Sequence, residues 1–66
     1  MEQDFKEAFK WSQKAAVQGY AIAQTSLGVM YAKGQGVEQD FKEAFKWYQN
    51  AAVQGLAEAQ YNLGVM

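Results

Sequence analysis

Apolar residues recur along this chain at steps of three and four, and no segment alternates at period two. That pattern predicts helices and no strands. Phe41, Ala44, Phe45, Tyr48, Ala51 and Ala52 share one helical face, which Trp47 widens. They predict a helix over 40–53. Asp40 suits its N-cap, Glu43 three residues later resembles a capping box, and Gly55 supplies the residue that ends it. The same reading gives a helix over 4–17, ended by Gly19. Ala23, Leu27, Met30 and Tyr31 mark the buried stripe of a helix over 21–33, ended by Gly34. The stretch 34–37, Gly-Gln-Gly-Val, then turns the chain, with Val37 set to pack as it enters the next helix. A fourth helix is expected over 56–66.

The second and third helices form one unit of a repeat. Residues 1–30 align on 37–66 at a constant offset of 36. Seven pairs differ: Met1/Val37, Ser12/Tyr48, Lys14/Asn50, Tyr20/Leu56, Ile22/Glu58, Thr25/Tyr61 and Ser26/Asn62. A period of this size means one supersecondary unit per repeat, stacked on its copies. The fold class is therefore all-α, an αα-hairpin solenoid fragment over 1–66 as one domain. Its helix order is out of phase: it starts with the second helix of one unit and stops after the first helix of another. Gly28 and Gly64 lie inside helices, where each costs about 1 kcal/mol against Ala. The expected reason is a neighbouring helix or Trp side chain packed on the bare backbone.

The positions that carry the repeat resemble the Sel1-like repeat (SLR), a relative of the tetratricopeptide repeat. The family pattern falls on Ala23, Leu27, Gly28, Tyr31, Gly34, Gly36, Val37, Asp40, Ala44, Trp47, Ala51, Ala52, Gly55 and Ala57. The plain tetratricopeptide repeat is two residues shorter and has Trp where this chain has Gln24. The resemblance implies a right-handed superhelix of helix pairs and an adaptor or scaffold role. Some secreted members staple each pair with a disulfide, and this chain has no cysteine for it.

Composition narrows the chemistry. With no Cys and no His, disulfides and Cys/His zinc sites are excluded, and no carboxylates have calcium-loop spacing. Half the residues are hydrophobic, which argues against disorder. A net charge of −1 gives no bulk attraction to nucleic acid or anionic lipid. No apolar run approaches 18 residues, and the acidic start lacks the pattern of a signal peptide. Glu7, Glu43 and Glu58 have no nucleophile beside them, and Ser12 with Lys14 does not make one. The reading is no enzyme, no cofactor and no metal. Lys6, Lys10, Lys14, Lys42 and Lys46 are read as a solvated face, with Glu2–Lys6 and Glu38–Lys42 as i,i+4 pairs. Trp11, Trp47, Phe5, Phe9, Phe41 and Phe45 are read as core. The Gly-x-Gly at 34–36 is read as a turn, since Glu38 and Asp40 would repel a phosphate.

Two surfaces remain as candidates for function. Ile22, Thr25, Ser26 and Val29, with Glu58, Tyr61, Asn62 and Val65, lie on one face of the first helix of each pair. The resemblance implies that this helix lines a concave, partner-binding face, so a protein or peptide partner is expected there. Alternatively the chain has no ligand of its own. A chain this short buries only about 60% of its unfolded surface and is marginal alone. Phe5, Phe9 and Trp11 at one end, and Leu63 and Met66 at the other, then form uncovered faces. Through them copies would associate as a ring, an open chain or a swapped dimer.

Overall fold

A computed structural model describes residues 4–65, with the backbone alone at Glu58 and Val65. Four helices follow one another: α1 (Phe5–Val17), α2 (Ala21–Lys33), α3 (Phe41–Ala52) and α4 (Ala57–Val65). Each packs on its chain neighbours, α2 on α3 most extensively. This is the arrangement of an αα-hairpin solenoid fragment.

Asp4 and Asp40 stand just outside α1 and α3 in extended conformation and cap them. The Asp4 carboxylate accepts the Glu7 N–H at 3.2 Å; that of Asp40 accepts from Lys42 and Glu43 at 3.0 and 3.2 Å. The capping box is half formed. The Asp40 N–H, which Glu43 would have to reach, donates to the Tyr31 carbonyl at 2.9 Å. Glu43 turns instead to Lys46, 3.8 Å away. Glu38 lies before the helix, so i,i+4 spacing does not bring it to Lys42; Glu2 lies outside the described residues.

The turn between α2 and α3 is bonded back onto α2. Gly34 takes the left-handed conformation with φ 69° and donates to the Met30 carbonyl. Gln35 N–H donates to the same carbonyl, and the Gln39 side chain donates to that of Ala32. Gly36, at φ 75°, presses on the backbone of Phe5 and Lys6 at the start of α1. A side chain there would collide with that backbone.

The core is made mostly of small residues: Ala16, Leu27, Met30, Ala44, Tyr48, Ala51 and Ala59. Alanines let helices approach closely, and Leu27 fills the space they leave. Helix α2 has α1 and α3 packed on it, so its burial exceeds a single stripe. Gln24, Thr25 and Gly28 are buried beside Leu27 and Met30, while Ala23 and Tyr31 are half-buried.

Candidate functional site

Several aromatic side chains expected in the core are on the surface. Trp11 is 59% exposed and Phe41 59%; Phe5 and Phe45 are exposed at 37% and 41%. Phe9 is half-buried because Tyr31 meets it edge-on at 5.4 Å. Trp47 is half-buried, and its indole N–H is shut off from solvent with no acceptor among the described residues. The lysines are not merely solvated. Lys14 sits over the Trp11 ring at 4.8 Å and Lys46 over Trp47 at 5.6 Å, contacts worth about 0.5–1 kcal/mol at exposed sites.

Three of the exposed aromatics, Phe5, Phe41 and Phe45, line two grooves. One, of about 340 Å³, runs between α1 and α2. Phe5, Ala8 and Ser12 line it from α1; Thr25, Ser26, Val29 and Met30 line it from α2, with Gln35 at the turn. The groove therefore joins a residue assigned to an end face, Phe5, with three assigned to the partner-binding face. The second, of about 420 Å³, is lined by Phe41, Lys42, Phe45 and Leu63. In the first copy, Tyr31 covers Phe9 and the turn at Gly36 covers the backbone of Phe5.

Thr25 is not free to contact a partner through its hydroxyl. It is 3% exposed, and the hydroxyl donates to the Ala21 carbonyl one turn back. Ile22 and Tyr61, by contrast, are 72% and 71% exposed. Ser26 is exposed, and Val29 and Asn62 are half-buried. Met66 and the side chains of Glu58 and Val65 lie outside the described residues.

Glutamines form a polar seam that hydrophobic patterning does not reveal. The buried Gln24 donates to the Ala16 carbonyl at 3.1 Å and accepts from Gln54 at 3.0 Å. Thirty-six residues on, Gln60 donates to the Ala52 carbonyl at 3.1 Å. The signal was present in the recurrence of Gln24 as Gln60 and of Ala16 as Ala52. The amide does both at once, donating with its NH2 and accepting with its carbonyl oxygen. The Tyr31 phenol is held above its ordinary value of 10.0, first by burial and then by the charges of Glu43 and Asp40. Among the described residues, no cluster of acidic side chains gathers that could hold a metal ion. No helix of the described residues is long and apolar enough to cross a membrane.

The Sel1 repeat family matches residues 1–20, 21–56 and 57–66. A Sel1 repeat protein from Oxalobacter formigenes, known from its crystal structure, is 43% identical and superposes with a TM-score of 0.93. The match covers 98% of this chain and 27% of that one, so this chain spans about a quarter of that protein's length. No curated protein matches.

Proposed function

Because the chain belongs to the Sel1 repeat family, whose repeats generally mediate protein–protein interactions, we propose that it is a non-enzymatic scaffold module. A protein or peptide segment docks in the groove between α1 and α2. One observation carries this reading: Ala8 is exposed in the groove, while Ala44 at the same repeat position is fully covered on α3, which has a helix packed on either side. An amphipathic helix docks in an apolar groove of this kind by its apolar face. Phe5, Val29 and Met30 give it apolar walls, and Ser12 and Ser26 give hydroxyls that can pair with a backbone. Thr25 forms floor. Ile22 beside the groove, and Tyr61 and Asn62 on α4, which match Thr25 and Ser26, extend the surface along the solenoid.

Selection of displayed peptides against the whole chain tests this. Val29→Arg places a charge in the groove and leaves the described core untouched. Peptides enriched on the parent chain are expected to lose binding to Val29→Arg, and to Tyr61→Thr/Asn62→Ser where they run on to α4. An enriched set indifferent to Val29→Arg, or no enrichment at all, overturns the groove as the site.

A further inference from the structure

The groove on α1 has a counterpart within the chain that is already filled. Helix α3 repeats α1 at an offset of 36, and α3 has both α2 and α4 packed on it, with Gly28 of α2 under its Tyr48 ring, where α1 has chiefly α2. Ala44 and Ala51 are fully covered, and Tyr48 nearly so. The matching Ala8 is exposed, and Ser12 and Ala15 are half-buried. Helix α4 in turn repeats α2, with Gln60, Leu63 and Gly64 where α2 has Gln24, Leu27 and Gly28. The equivalent glycines differ in what they meet. A Cβ on Gly28 would lie 2.6 Å from the Tyr48 ring, whereas one on Gly64 would meet nothing within 4 Å.

We propose that the occupant of the groove is α4 of a second copy, laid on α1 as α2 lies on α3, so that copies join head to tail. This rests on the groove being a docking site, and it names what docks. The contact continues the chain's own α2–α3 interface with nearly the same residues. It also supplies the polar partner the interface needs. Gln54 donates to Gln24 across the internal interface, and the matching Gln18 and Gln60 are both exposed in a single copy. In the joined copies they meet. Charge favours the pair as well. Helix α1 carries Lys6, Lys10 and Lys14 against Glu7, whereas Glu58 is the one charged residue of α4. Helices α2 and α3 are both net positive, so the intermolecular pair carries a complementarity that the α2–α3 interface it copies lacks. Ser12 faces Gly64 where Tyr48 faces Gly28, leaving a gap that makes the joint weaker than the internal one. Such head-to-tail contact grows as an open chain or closes as a ring.

Sedimentation equilibrium of the whole chain, from low micromolar to millimolar, decides it. The mass is expected to rise above 7.4 kDa with concentration, and more at low salt. Ala8→Glu alters a side chain exposed in the single copy, so helicity by circular dichroism stays and association is lost. Ser12→Tyr restores the ring that packs on glycine and is expected to tighten association about tenfold. Adding Gly64→Ala to it removes the gain. A monomer at every concentration overturns the second copy as occupant and leaves the groove itself to the display experiment. Association unaffected by Ala8→Glu, or not tightened by Ser12→Tyr, overturns the proposed register.

Discussion

Two glycines at equivalent positions carry opposite consequences. Gly28 lies under the Tyr48 ring, and that ring is buried and cannot swing away. Ala there gains about 1 kcal/mol of helix propensity and loses about 1–3 kcal/mol to overpacking. Gly28→Ala is expected to lower stability by about 1 kcal/mol in a urea melt at low micromolar concentration, and Tyr48→Ser to relieve the clash. Gly64→Ala meets open space and is expected to raise stability by up to about 1 kcal/mol. The sequence shows that both positions want to be small; it does not show that only one of them is covered. Thr25 is a similar case. Its difference from Tyr61 marked it as variable surface, yet a hydroxyl that can bond its own helix backbone is readily buried. Tyr31 adds a pH dependence. Its folded pKa is raised, so the folded state holds the phenolic proton more tightly than the unfolded chain. Its contribution is whole below the ordinary value of 10.0 and is lost as pH rises through the folded value. Stability is expected to fall above about pH 10, and Tyr31→Phe to flatten that part of the fall.

The helices themselves were legible because their signals are local. Asp40 and Asp4 cap as their positions in sequence predict, and Gly34 ends α2 in the left-handed region. The reciprocal half of the capping box was not legible, because the competitor for the Asp40 N–H is the Tyr31 carbonyl on another helix. The glutamine seam was missed for the same reason. A polar residue amid apolar ones announces a bonded side chain only when its partner is known. Gln24→Glu tests the seam: a carboxylate cannot donate to the Ala16 carbonyl, and its charge is buried. We expect a loss of about 1–3 kcal/mol at pH 7. Acid protonates the carboxyl, so part of the loss is recovered as pH falls. Gln60→Glu, at an exposed residue, is expected to cost under about 1 kcal/mol.

At the level of the whole molecule, the fold class followed from the 36-residue period, whereas the status of the aromatic residues did not. Phe9 and Phe45 are the same letter in the same decapeptide, yet Tyr31 covers the first and the second is the more exposed. A repeat specifies which face each helix turns toward its neighbours; which neighbour is there is a property of the assembly. The turn at Gly36 shows how far neighbours reach. It belongs to the α2–α3 connection, yet it rests on the first residues of α1. Gly36→Ala puts a side chain into that backbone at a positive φ, and a loss of about 2–5 kcal/mol is expected. Amide hydrogen exchange is expected to show faster exchange in α1 as well as at the turn itself. In the native chain, the closed turn packs directly on the start of α1. Pulled from its ends, the molecule is expected to yield in a single rupture event, because a turn on the far side of the second helix acts as the latch on the first.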